Sequence, residues 1–231
     1  MNKIFGGVSV VVLLVSGCAA PNEKASDRSY FPIGVGSFWI YEVDETDILQ
    51  LTCGTGGQTY KSFQLKDVVV DSTGDASGNS IFTIHRYTRP DSTAGWTDLT
   101  IRSARLGWNE AVVNESNVSY VKVRFPLAEN SIWNGNLYND LGEDDYKATK
   151  VGQMYTLANG KKYQATVSIV QNDEENLVYK DKRVEIYGAG VGLVYRESTT
   201  LNYFTDAACF GQQEVKDGTI YLQSLIQYGH H

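Results

Sequence analysis

Histidine and cysteine are scarce in this chain of 231 residues, which has three of each. His230 and His231 are the last two residues, so His85 is the one histidine elsewhere. A tetrahedral zinc site needs four ligands, or three and a water. Neither Cys53 nor Cys209 has a second cysteine or a histidine at ligand spacing. The sequence therefore predicts no metal ion, and it disfavours enzymes that use several imidazoles.

Basic residues are also in deficit. Lysine and arginine number 20 against 27 aspartates and glutamates, which gives a formal net charge of −7. Nucleic-acid binding needs clustered positive charge, so we expect no nucleic-acid partner. The same acidic balance disfavours adsorption to anionic lipid headgroups.

Long hydrophobic runs are absent, and the most apolar stretch, residues 8–15, is short and interrupted by Ser9. A transmembrane helix needs about 20 apolar residues. Preceded by Lys3 and followed by small residues, the stretch has the three-part layout of a cleaved secretion signal. We predict that residues 1–17 are removed.

The end of this signal, Val-Ser-Gly-Cys at residues 15–18, resembles the bacterial lipoprotein box. The resemblance implies that Cys18 carries a diacylglycerol thioether and further acyl chains such as palmitate, and that it anchors the protein in a lipid bilayer. Each buried methylene contributes about 0.8 kcal/mol to such an anchor. An ordinary secretory signal with an accidental cysteine is the alternative.

Two features after the anchor predict how the mature protein is placed. Ala19, rather than aspartate, follows Cys18, and the resemblance then implies the outer membrane, with the inner leaflet and the periplasm as the expected location. Residues 18–29 form the lipidated cysteine and a polar tether that reaches about 20 Å. Residues 30–231 are predicted to form a single β-rich domain.

The two cysteines that remain, Cys53 and Cys209, suggest a disulfide, because an even remainder in an oxidising compartment favours pairing. Such a bridge could contribute roughly 4–5 kcal/mol. Two unrelated buried thiols are the alternative, since spacing alone does not show that their Cβ atoms meet.

The body of the chain is rich in β-branched and aromatic residues that alternate with polar ones. In residues 118–125, Val121 and Val123 share one face while Lys122 and Arg124 share the other, which predicts a half-solvated strand. The same rhythm occurs in residues 80–88, 162–171, 177–187 and 219–228. We predict an all-β fold with little helix, an antiparallel meander that forms a barrel, a half-barrel or a sandwich.

Two stretches indicate positions in that fold. Residues 38–43 are apolar on both faces, so this strand is expected to be central. Gly188, Gly190 and Gly192 precede a strand-like run instead of the helix that a dinucleotide fingerprint requires. A turn is therefore the better interpretation, and no cofactor is expected.

Three stretches carry a family resemblance: FPIGVGSFWIYEV at 31–43, FPLAENSIWNGNLYND within 125–146 and GVGLVYRE within 188–197. Together they are similar to uncharacterised bacterial envelope lipoproteins, the TapB-like domain-of-unknown-function proteins. The resemblance implies a β fold and a lipoprotein, and it implies no activity and no catalytic residues.

One acidic cluster is a candidate site, formed by Asp140, Glu143, Asp144 and Asp145. Its carboxylates could suit calcium, which takes six to eight oxygen ligands, although a solvated loop is the simpler interpretation. Paired carboxylates could also cleave glycosides if one of them lay in an apolar pocket.

Two functional classes follow. The preferred one is a non-catalytic binding or assembly module of the envelope, whose partner is another envelope protein, a glycan or a lipid, with an acyl-chain carrier as one version. The alternative is a hydrolase that acts on envelope polymers with carboxylates of residues 140–145. We expect the chain not to be an enzyme, and no catalytic residue is assigned.

Overall fold

A computed structural model describes residues 27–231. A short 3-10 helix, Asp27–Tyr30, precedes twelve β-strands. The strands are β1 (Ser37–Thr52), β2 (Thr55–Gly74), β3 (Ser80–Arg89), β4 (Thr97–Leu106), β5 (Glu110–Glu115), β6 (Val118–Arg124), β7 (Ile132–Asn134), β8 (Asp145–Thr156), β9 (Lys162–Glu175), β10 (Tyr179–Gly188), β11 (Gly192–Tyr203) and β12 (Val215–His230).

All twelve strands belong to one antiparallel sheet, in the order β6-β5-β4-β3-β2-β1-β12-β11-β10-β9-β8-β7. Each strand except the pair β6 and β7 lies beside its neighbour in sequence, and β12 returns to pair with β1. This arrangement confirms the predicted all-β meander. It also confirms the central position of the strand at residues 38–43, which lies within β1 between β2 and β12.

The two edge strands, β6 and β7, approach each other and nearly close the sheet into a barrel. The Val121 N–H donates to the Gly135 carbonyl oxygen at 2.8 Å. The Trp133 indole N–H donates to the Val121 carbonyl oxygen at 2.8 Å, and the Asn139 side-chain amide donates to the Ser119 carbonyl oxygen at 2.9 Å. These bonds satisfy edge groups that would otherwise be open to other chains.

Apolar side chains pack in three clusters around the sheet. The largest lies next to the edge strands and contains Val121, Trp133 and Ile169. A second cluster surrounds Val43 and Leu225 on the central strands, and a third lies on β2 to β5. Burial of these side chains supplies the main favourable free energy of folding.

A disulfide joins Cys53 to Cys209, so the predicted pairing is present. Cys53 lies in the turn between β1 and β2, and Cys209 lies in the loop between β11 and β12. The two Cα atoms are 6.2 Å apart, and the cysteines are separated by 156 residues in sequence. The bridge therefore ties the tip of the longest hairpin to a loop near the end of the chain.

The glycines at 188–192 form the turn between β10 and β11, as predicted, and no helix follows them. Gly190 and Gly192 have φ values of 71° and 91°, which L side chains rarely adopt. A Cβ at Gly192 would lie 3.2 Å from the Trp39 indole nitrogen. That nitrogen donates a 2.6 Å hydrogen bond to the Val191 carbonyl oxygen, which fixes the turn against β1.

The predicted signal, the lipidated Cys18 and most of the predicted tether lie outside the described residues. Between residues 27 and 231, no helix has the length and apolar character needed to cross a membrane.

Candidate functional site

A cavity of about 90 Å³ lies inside the barrel and is lined by side chains from most of its strands. Strands on opposite sides of the sheet, β2 to β6 and β10 to β12, contribute polar groups to it. The charged side chains that line it are Asp67, Arg86, Arg102, Glu115, Lys122, Glu185 and Arg196. We call this set the interior charge network.

Strand alternation explains how one of these groups reaches the interior. Lys122 lies on β6 between Val121 and Val123, and successive side chains of a strand point to opposite faces. All three residues are buried. The prediction of a half-solvated strand is therefore wrong for Lys122, because the nearly closed sheet turns this side chain into the cavity, while Val121 and Val123 pack in the apolar cluster that contains Trp133.

Lys122 pairs with two carboxylates. Its Nζ lies 2.8 Å from Glu185 Oε1 and 3.5 Å from Glu115 Oε1. Arg196 contacts the same two acids, at 3.3 Å from Glu115 and 3.7 Å from Glu185. The Tyr187 hydroxyl donates to the other oxygen of Glu185 at 2.7 Å. Both carboxylates are thus shared between cations on different strands.

A second group of ion pairs continues the network toward β2. Arg86 forms a two-point contact with Asp67, with Nε to Oδ1 at 2.7 Å and Nη2 to Oδ2 at 2.6 Å. Arg102 Nη1 lies 3.5 Å from Asp67, while its Nη2 donates to Glu115. Arg102 therefore connects the two groups into one continuous network.

The three carboxylates of the network are held in their ionised form. Burial opposes ionisation of Glu115, but the positive charges of Lys122, Arg196 and then Arg102 and Arg86 outweigh it and hold its pKa well below the usual range. For Glu185, burial is likewise outweighed by Lys122 and Arg196, so its pKa is lowered.

Asp67 follows the same pattern: burial disfavours its charge, but Arg86 and Arg102 lower its pKa overall. The phenols that border the network behave differently. Burial and then the carboxylate of Glu185 raise the pKa of Tyr187 well above its usual value. Burial and Asp67 do the same for the pKa of Tyr41. These phenols are neutral at physiological pH.

Two buried N–H donors that line the cavity have no acceptor within residues 27–231. One is the Arg102 Nε–H, on a side chain that is 10% exposed. The other is the Gln223 Nε2–H, on a residue that is 1% exposed and whose Oε1 accepts a 2.9 Å bond from the Tyr221 hydroxyl. Buried donors without partners are rare and costly.

Apolar groups complete the lining. They come from the segment that precedes β1, from β1 itself and from the start of β11. The principal members are Phe31, Pro32, Ile33, Trp39 and Leu193. The cavity therefore combines a charged wall with an apolar one, an arrangement typical of small-molecule sites.

The predicted acidic site at residues 140–145 does not belong to this cavity. Asp140, Glu143 and Asp145 are exposed, and Asp144 forms a 2.8 Å ion pair with Arg183. Within residues 27–231, no three His, Cys, Asp or Glu side chains are grouped so that they could hold a metal ion.

Sequence reasoning missed the interior charge network. The available signal was that some charged residues share a strand face with an apolar neighbour, for example Arg86 two residues after Ile84 and Glu115 two residues after Val113. Such residues are normally assigned to solvent, and only the closure of the sheet identifies them as internal.

No family model and no curated protein matches the chain. Among solved structures, it is similar to one described as a "putative lipoprotein" from Parabacteroides distasonis, with 11% identity, a TM-score of 0.43 and coverage of 87% of this chain and 98% of that one. A likeness this distant carries no argument about function. The resemblance to TapB-like proteins finds no support in these comparisons.

Proposed function

We propose that this chain is a lipid-anchored binding module of the bacterial envelope that holds a small ligand inside its barrel. The observation that carries the proposal is the cavity with its interior charge network and two unpartnered donors. An arrangement of fixed charges and free donors beside an apolar wall is suited to recognition, because it can orient a ligand without covalent chemistry.

The state of the carboxylates favours binding over hydrolysis. A carboxyl that acts as general acid needs a raised pKa, whereas those of Asp67, Glu115 and Glu185 are lowered. All three are engaged by cations within 4 Å. None of them is a proton donor at neutral pH.

The size of the cavity favours a small ligand over a lipid tail. The cavity volume is about 90 Å³, which lies below the range of about 300–1,000 Å³ typical of sites for drug-sized ligands. A carrier for long acyl chains would need a much longer apolar space. We therefore place the acyl chains of this protein at Cys18, as its anchor, and not in the barrel.

The proposed anchor follows from the sequence of the signal. Cys18 would hold the barrel at the inner leaflet of the outer membrane through residues 18–29. Intact-mass measurement of protein extracted from membranes tests this. We expect a chain that begins at residue 18 and carries the mass of the acyl chains. We expect the Cys18→Ala variant to lack this acyl mass and to occur in the soluble periplasm. An uncut leader with a bare thiol in the cytosol would contradict the proposal.

Native mass spectrometry of the same extracted chain tests the binding function. We expect a small non-covalent mass that is lost when the protein is unfolded in acid. The variant with Asp140, Glu143, Asp144 and Asp145 changed to their amides should keep this mass. It should also release as few soluble fragments from isolated envelopes as wild type does. If wild type released fragments and this variant did not, the hydrolase would be the correct function.

A further inference from the structure

The cavity has an excess of positive charge. Four cationic side chains line it against three carboxylates, which gives a formal charge of +1 in a protein whose net charge is −7. Tyr41 and Tyr187, whose pKa values burial raises first of all, supply no compensating negative charge. Each of the four cations has a carboxylate within 4 Å, so three acids are shared among four positive charges and the set keeps one positive charge in excess.

The unpartnered polar groups of the cavity are both donors. The other two nitrogens of the Arg102 guanidinium are occupied by Asp67 and Glu115, which leaves its Nε–H. The Oε1 of Gln223 is occupied by Tyr221, which leaves its Nε2–H. A water molecule could satisfy such donors but would leave the charge in excess. An anion satisfies both requirements together.

We propose that the cavity binds one monovalent carboxylate, whose oxygens accept from Arg102 Nε–H and Gln223 Nε2–H. This deepens the proposed function and rests on it. Hydrogen bonds between charged partners are about twice as strong as neutral ones. The short carbon body of the ligand lies against the apolar wall of Phe31, Ile33 and Trp39.

The cavity also selects among anions. A phosphate monoester carries about 1.5–2 negative charges at pH 7, which overcompensates a charge of +1. Chloride matches the charge but has no carbon body to cover the apolar wall. A short monocarboxylate carries one negative charge and a small carbon body, which suits a cavity of about 90 Å³. Acetate and propionate are therefore the fitting probes.

Calorimetric titration of the full, lipidated chain in non-ionic detergent tests the proposal. The buffer is free of chloride, and its anion is a sulfonate too large for the cavity. We expect propionate to bind at one site per chain, at least about tenfold more tightly than propionamide, which has the same shape without the charge. Chloride should bind more weakly than propionate by a similar factor.

Two glutamine variants locate the site. Gln223→Glu places the missing negative charge in the cavity and should weaken propionate binding by about tenfold or more. Gln171→Glu is the matched control, because Gln171 is also buried with an unpartnered Nε2 but does not line the cavity. It should leave binding within about twofold of wild type. If Gln223→Glu does not fold, Gln223→Leu removes the same donor and should weaken binding in the same direction.

Three results would overturn the proposal: equal binding of propionate and propionamide, chloride binding as tight as propionate, or full propionate affinity in the Gln223 variants. Native mass spectrometry separates this failure from that of the proposed function. A retained ligand that is not a carboxylate would refute the carboxylate and leave the binding module. No retained ligand and no carboxylate binding would refute both.

Discussion

Removal of one buried cation should show how much the ion pairs of the interior charge network contribute to the free energy of unfolding. In Lys122→Met, Glu185 loses a partner at 2.8 Å, and the two side chains are only 4% and 2% exposed. At an effective dielectric constant of about 20, this contact has a gross attraction of about 6 kcal/mol. Desolvation of the lysine offsets part of it, so we expect unfolding free energy to fall by about 3–5 kcal/mol.

A double-mutant cycle isolates the contribution of the pair. Glu185→Gln keeps an acceptor for the Tyr187 hydroxyl but removes the charge. Lys122→Met combined with Glu185→Gln should cost about 2 kcal/mol less than the sum of the single changes. Lys180→Met is the surface control, because its pair with Glu175 is exposed, and it should cost less than about 1 kcal/mol.

The effect of Lys122→Met should depend on pH. The folded-state pKa of Glu185 is lowered in wild type, so its charge stabilises the fold above the unfolded pKa, and this contribution is lost as pH falls through the folded value. Without Lys122, Arg196 is the main cation left to oppose burial, so we expect the pKa of Glu185 to rise. The ionised carboxylate then destabilises the fold at high pH, and protonation relieves this at low pH. The cost of the change should thus be larger at pH 8 than at pH 5.

Urea unfolding of the full chain, followed by tryptophan fluorescence and far-UV circular dichroism at pH 8 and pH 5, gives these free energies. A cost below about 1 kcal/mol at both pH values would refute the reasoning. So would a coupling of zero between Lys122 and Glu185, because the network would then be a set of independent, solvent-screened contacts.

Two further changes test contacts that stabilise the barrel outside the interior charge network. The Cys53→Ser, Cys209→Ser double variant should lose about 3–5 kcal/mol of unfolding free energy, because the bridge closes a loop across 156 residues. Reduction of the wild-type disulfide with dithiothreitol should cause the same loss, and a different loss would contradict this explanation. Gly135→Ala should cost about 3 kcal/mol in urea unfolding, because its Cβ would lie 2.3 Å from the buried Tyr146 ring. Gly95→Ala, in open space, is its control, and equal costs would refute the clash.

The fold could be predicted from the sequence because its signals are local. Alternation predicts strands that begin at residues 80 and 162. The structure has these strands as Ser80–Arg89 and Lys162–Glu175. The Asn-Gly pair at 159–160 is typical of a hairpin turn. In the structure this pair lies between β8 and β9, and Gly160 has the positive φ of such a turn. Each of these features depends on a few consecutive residues.

The candidate site could not be predicted in this way, because its contacts are distant in sequence. Lys122 and Glu185 are separated by 63 residues, and Arg196 and Glu115 by 81. Alternation shows that a strand has two faces, but not which of them turns inward when the sheet nearly closes on itself. Asp140, Glu143 and Asp144, which the sequence makes prominent, lie in the loop before β8, and Asp145 begins that strand.

The cost of the network argues that it serves more than stability. Buried ion pairs can often be replaced by apolar residues of similar volume with no loss, or with a gain, of stability. The cluster around Val43 and Leu225 consists of aliphatic and aromatic side chains, so the fold does not place charge at every buried position. This chain instead keeps seven charges around one cavity, four positive and three negative. The proposed ligand would explain why the chain keeps these charges, because it would bring one negative charge and accept hydrogen bonds from the two free donors.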